Sequence, residues 1–141
     1  MTKVWPVALI LLAIDRWLKN YFWQAASDYQ TPSFFQVVTN QQGAFSLPWP
    51  FVWGLAATII ILIFVGWELA QALRQKKISA YAWSFILVGA VSNLWDRLTW
   101  GAVVDYINLG WWPVFNFSDC LIVVGVITLL GLTFFKKTKS V

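Results

Sequence analysis

Histidine is absent from this chain of 141 residues, cysteine occurs once, and charged residues make up only 11% of it. Without histidine there is no Ser-His-Asp or Cys-His nucleophile and no imidazole ligand for a metal. A lone Cys120 cannot form an intramolecular disulfide. Following Asp119 directly, it is expected to turn about 100° away around a helix and into packing. Lys19 and Ser46 leave a Ser-Lys scheme formally open, yet their spacing gives it no support. So little charge also excludes an ordinary soluble surface. Ten basic residues against six acidic give a net charge of +4. They form no continuous stripe, so nucleic acid is not an expected partner.

What is abundant is apolar: 60% of the residues are hydrophobic. Four stretches, 4–23, 51–73, 78–98 and 116–135, are long enough to cross about 30 Å of hydrocarbon at about 1.5 Å per residue. The expected fold is an all-α integral membrane domain with four transmembrane helices and a small extracytoplasmic β-rich region. Asp15, Arg16 and Lys19 interrupt the first run where a cleavable signal peptide keeps its apolar core, so that run is read as a span. Lys3, the Arg74–Lys77 loop and Lys136, Lys137 and Lys139 fall on one side of a four-span chain. The positive-inside rule then puts both termini in the cytoplasm. Trp5, Trp23, Trp49, Trp53, Trp100, Trp111 and Trp112 lie near expected helix ends and fit an interfacial belt, while Trp95 sits where it could line a site entrance.

Against this background, residues 89–119 concentrate Asn, Asp and Arg. An ionisable group at bilayer depth costs about 2.5 to 3.5 kcal/mol on insertion scales, so a cluster points to a functional site, the alternative being a structural ion-pair knot. Asn93, Asp96 and Arg97 share a helix face at i, i+3 and i+4, and the adjacent Asp96 and Arg97 each need another partner. Residues 102–108 read as a strand, with Val103, Asp105 and Ile107 on one face and Val104, Tyr106 and Asn108 on the other. Asp119 falls in the first turn of a helix beginning near Asn116, where the helix dipole favours a carboxylate; Asp119 is therefore expected to be the ionised acid and Asp105 the protonated one. Two carboxyls in one site lose their protons in separate steps, which suits them to general acid/base hydrolysis. Asp15 and Lys19, at i and i+4, can neutralise each other as a packing pair.

The runs Asn93-Leu94-Trp95-Asp96-Arg97, Val103-Val104-Asp105-Tyr106 and Phe115-Asn116-Phe117-Ser118-Asp119 resemble the three C-terminal motifs of the bacterial lipoprotein signal peptidases (signal peptidase II): NxxDR, VxDF or VxDY, and FNxAD. The resemblance implies a membrane aspartic endopeptidase of the bacterial cytoplasmic (inner) membrane, with its site at the outer face. It would remove signal peptides from diacylglyceryl-modified prolipoproteins, cutting before the lipidated cysteine. Asp105 and Asp119 would be the catalytic dyad. Asn40, Asn93, Arg97 and Asn116 would bind substrate or orient the dyad, and Asp15, Lys19 and Asp96 would brace the helices. Neither metal nor organic cofactor is implied; the partners are prolipoproteins and membrane lipids, and the chain is expected to act as a monomer.

The sequence departs from the family pattern at four places. Leu18 stands where a hydroxyl usually precedes the lysine, Gln42 where a glycine is expected before Gly43, Ser92 for glycine and Ser118 for alanine. Ser92 is read as a tolerated small-for-small change. The other three keep open a non-catalytic relative that binds lipidated peptides. A small transporter or ion relay using the same polar groups is disfavoured by the absence of a visible inverted repeat. Residues 34–45 are rich in aromatic and β-branched types, which suggests a surface sheet able to hold an extended peptide, with Gly43 at a bend.

Overall fold

Charge and polarity are turned inward and hydrocarbon outward. Asp15, Lys19, Asp96 and Asn116 are fully buried, whereas Leu9, Ile60, Ile63, Ile127 and Phe134 are exposed. The computed structural model describes residues 3–29, 33–40 and 51–138. In chain order these form α1 (Val4–Gln24), a 3-10 turn (Ala26–Tyr29), β1 (Phe35–Asn40), α2 (Phe51–Arg74), α3 (Ser79–Trp100), β2 (Val103–Ile107) and α4 (Phe117–Thr138). Gln42, Gly43 and Ser46, where a bend and a serine were of interest, lie outside the described residues.

The result is a mostly helical protein with one two-stranded sheet, β1 antiparallel to β2. Two stretches, Gly54–Arg74 and Phe117–Phe135, are apolar and long enough by themselves to cross a membrane. Among the charged residues that dilute hydropathy in α1 and α3, Asp15, Lys19 and Asp96 are buried against each other. The helix α3 packs on α1, α2 and α4, and β2 rests on α1 and α3.

Three apolar clusters follow one another along the bundle. Val4, Leu69, Ala72 and Ala80 pack at one end, Ala8, Val88 and Leu121 in the middle, and Phe22, Val104 and Tyr106 at the other end, beside the sheet. Phe22 and Tyr106 stack with ring centroids 4.3 Å apart. The expected alternation of β2 holds for Val104 and Tyr106, which share this cluster, but Asn108 lies past the end of the strand.

One expectation needs correction. Helix α3 continues through Thr99 and Trp100 instead of ending at Leu98. Gly101 adopts φ 73 and its N–H bonds to Arg97 O at 3.1 Å, so the left-handed cap comes only there. Trp23 and Trp100, at the ends of α1 and α3, stack on each other at 4.9 Å and are half-buried.

Glycine sets the approach of α3 to α4. A Cβ on Gly89 would collide with Ser118 O and come within 2.8 Å of Ile122 Cγ1, and one on Gly125 would meet Ala82 O at 2.7 Å and Ile86 Cγ1 at 2.6 Å. Close backbone contact through small residues is a common way to associate helices in lipid. Gly89→Ala is therefore expected to destabilise the protein by about 1 to 3 kcal/mol. Gly131→Ala, with nothing within 4 Å of the added carbon, should leave the melting temperature unchanged or slightly raised. Thermal unfolding of both variants in one detergent compares them; equal melting temperatures would refute the contact.

Candidate active site

The start of α4 is capped by its own polar residues. Asn116 Oδ1 accepts the Asp119 N–H at 3.0 Å while Asp119 Oδ2 accepts the Asn116 N–H at 3.2 Å. This is a reciprocal capping box built from Asn and Asp. The next free amide, Phe117 N–H, donates to Tyr106 Oη at 3.1 Å. Asp119 thus has one carboxylate oxygen committed to its helix and the other facing Asn93, whose Nδ2 donates to Asp119 Oδ1 at 2.8 Å.

Asp105 reaches the same point from the sheet. It lies opposite Val38 in the β1–β2 register, with Asn40 opposite Val103. Asn116 Nδ2 donates to Asp105 Oδ1 at 2.6 Å and more weakly to Asn93 Oδ1 at 3.3 Å. A side-chain hydrogen bond from Asn40 also reaches Asp105. Asn116 therefore joins the two acids, its oxygen on the Asp119 amide and its nitrogen on the Asp105 carboxyl. Burial and then the charge of Asp119 push Asp105 up from 3.8 to about 7, against the opposing hydrogen bonds of Asn116 and Asn40 and the charge of Lys19.

Beneath this pair lies a buried ion lattice. Lys19 Nζ donates to Asn93 Oδ1 at 2.6 Å, pairs with Asp96 Oδ2 at 2.7 Å and stands 3.8 Å from Asp15 Oδ2. Asp96, not the i+4 neighbour Asp15, is thus the closer anion for Lys19. Arg16 Nη1 binds Asp96 Oδ1 at 2.5 Å, and Ser92 Oγ donates to Asp15 Oδ2. Arg97 differs from Arg16. Its Nη1 donates to Asn93 O at 3.3 Å, Asp105 and Asp119 lie within Coulombic reach, and it makes no ion pair among the described residues.

Of the residues singled out in the sequence, Asn40, Asn93, Asp105, Asn116 and Asp119 form one hydrogen-bonded group, with Arg97 beside it and Asp15, Lys19 and Asp96 below. Three contributors were not anticipated. Arg16 was read only as an interruption of the first span, Ser92 as a small packing residue and Tyr106 as a residue facing away. Arg16 and Asp96 are 80 positions apart, and no local spacing encodes their pairing. The Ser118 hydroxyl is buried with no hydrogen-bond partner among the described residues.

Comparison with known proteins finds relatives along most of the chain. The family described as Signal peptidase (SPase) II matches residues 7–135. A lipoprotein signal peptidase of Pseudomonas putida is 34% identical, with 95% of this chain and 87% of that protein covered. One from Syntrophomonas wolfei is 33% identical, with 91% and 90% covered. A solved structure described as a bacterial membrane enzyme superposes with a TM-score of 0.75 at 22% identity, covering 99% of this chain and 92% of that one.

The raised Asp105 has a consequence for stability. Its folded value of about 7 exceeds the ordinary 3.8, so its contribution is fully present below 3.8 and is lost as pH rises through about 7. Asn cannot ionise. Asp105→Asn is accordingly expected to melt higher than the parent above pH 7 and to show a flatter decline between about pH 4 and 7. Melting curves across that range check it, and parallel declines would contradict the burial of a titrating Asp105.

Proposed function

Because the chain belongs to the signal peptidase II family, we propose that it is a membrane aspartic endopeptidase that removes signal peptides from diacylglyceryl-modified prolipoproteins, cutting before the lipidated cysteine. The observation that carries the catalytic assignment is the Asn116 bridge, which ties Asp105 and Asp119 into one site. Asp105 carries the proton and Asp119 is the base. The elevated Asp105 and the two donors held on Asp119 support this order.

In the reaction, Asp119 takes a proton from water as its oxygen adds to the scissile carbonyl carbon, while the Asp105 hydroxyl donates to the carbonyl oxygen. Collapse of the tetrahedral species breaks the C–N bond. The amine departs with a proton from the dyad, leaving a carboxylate on the signal peptide and a free amine on the lipidated cysteine. No covalent enzyme intermediate forms. The charge inventory favours this protonation state: Asp15, Asp96, Asp105 and Asp119 face Arg16, Lys19 and Arg97, so four carboxyls and three cations balance when one carboxyl is protonated. Arg97, free of ion pairs among the described residues, offers its planar fork to substrate carbonyls. Asn40 and Asn93 orient the dyad, and the β1–β2 sheet supports an extended peptide.

The four helices, of 21, 24, 22 and 22 residues, each match the thickness of a bilayer at about 1.5 Å per residue. We read all four as spans, with both termini cytoplasmic and the dyad at the outer face. Supporting this, Arg97 and Asp119 lie at the ends of α3 and α4 remote from the basic Arg74–Lys77 turn. We read the chain as acting as a monomer.

Asp105→Asn and Asp119→Asn are each expected to lower cleavage of a lipidated prolipoprotein by at least about a hundredfold, the scale of acid/base catalysis. Gel shift of the processed product measures it, and near-normal turnover by either folded variant sinks the dyad. For topology, in a Cys120→Ser background, Leu109→Cys should react with an impermeant thiol reagent in intact cells and Gln75→Cys should not. Reversed labelling would place the site on the cytoplasmic side.

A further inference from the structure

Arg16 is a half-buried cation with no part in the dyad, held through one nitrogen of its guanidinium. Its Nη1 donates to Asp96 Oδ1 at 2.5 Å, to Ser92 Oγ at 3.1 Å and to Ser92 O at 3.3 Å. Its guanidinium carbon lies 5.2 Å from the Trp100 ring centroid and 5.7 Å from that of Trp95. Two aromatic rings and the acceptors on Asp96 and Ser92 fix its position.

The anion it holds connects to the site. Asp96 divides its oxygens, Oδ1 to Arg16 and Oδ2 to Lys19 at 2.7 Å. A carboxylate gripped by a different cation at each oxygen cannot rotate without breaking one pair. The oxygen so fixed, Oδ2, also accepts the backbone N–H of Val104 at 3.4 Å. Val104 immediately precedes Asp105 on β2. Lys19 cannot do this alone, because its ammonium is shared with Asn93 and lies near Asp15.

We propose that Arg16 is a positioning residue for catalysis, locking Asp96 so that the amide of Val104, and with it the Asp105 carboxyl, is held in register with Asp119. Ser92 and Trp100 form its seat. The inference rests on the peptidase reading of the dyad and extends it to a residue on α1 that touches neither acid. Arg16 bonds Asp96 and Ser92 and neither acid of the dyad, so on this proposal its loss acts on turnover and not on binding.

The test is steady-state cleavage of a lipidated prolipoprotein by the purified full-length enzyme, with activity expressed per folded molecule. Arg16→Gln should lower kcat about ten- to hundredfold while KM stays within about twofold. Arg16→Lys should recover part of that loss, since an ammonium can reach Asp96 but cannot bind Ser92 and the two rings as a plane. In an Asp96→Asn background, adding Arg16→Gln should change kcat by less than about twofold, because both act through one carboxylate. An unchanged kcat in Arg16→Gln, a loss carried by KM, or a Lys variant no better than Gln each overturns the proposal, even if the Asp96 variants fail to fold. If the parent enzyme itself does not cleave, the peptidase reading falls and the role of Arg16 with it; an active parent isolates Arg16.

Discussion

A fully buried ammonium organises this molecule. Lys19 is wholly buried between α1 and α3, and an ion so placed is tolerated only when its hydrogen-bonding capacity is met. Asn93 and Asp96 meet it from α3 and Asp15 stands close by on α1. The requirement fixes how the two helices lie. It also fixes an amide: with its oxygen turned to Lys19 and to the Asn116 nitrogen, Asn93 can present only its NH2 to Asp119. One buried charge on the first helix thereby sets the orientation of a group on the third and steadies an acid on the fourth.

Much of this was legible in the residues. The apolar runs gave the four helices to within a few positions, and the i, i+3, i+4 face of Asn93, Asp96 and Arg97 was readable from spacing alone. The proposed dyad rests on two acids inside motifs resembling a known family, and the structure brings both onto Asn116. Pairing across long sequence separation was not legible, because nothing near Arg16 announces Asp96 or Ser92. Tyr106 was placed on the correct side of its strand, but that a buried phenolic oxygen there would cap α4 depends on how the sheet rests on the bundle. Helix α3 was judged two residues short because its end was placed at Leu98, whereas Gly101 determines the stop.

The lattice of charges also explains why substitution within it has effects beyond the site. In water, single ion pairs contribute little; among hydrocarbon side chains each partner that is removed leaves an uncompensated charge. Asp96 sits between two cations and a backbone amide, so it joins the packing of α1 against α3 to the placement of β2. The glycine contacts between α3 and α4 serve the same end by a different means. Rigid approach of two backbones keeps Asn93 within reach of Asp119 without adding polar groups to the lipid-facing side.

The two acids of the proposed dyad differ in one respect unrelated to chemistry. Asp119 caps its own helix through the reciprocal bonds with Asn116, whereas Asp105 is a strand residue that caps no helix. Folding alone therefore demands Asp119 and merely endures Asp105. If a lineage of this protein were released from selection for activity, its decay would be lopsided: the strand acid would drift first, toward Asn or an apolar residue, while the cap acid would persist as a relic of architecture. An intact Asp119 is consequently poor evidence that a descendant still works, and Asp105 is the residue whose survival reports on use.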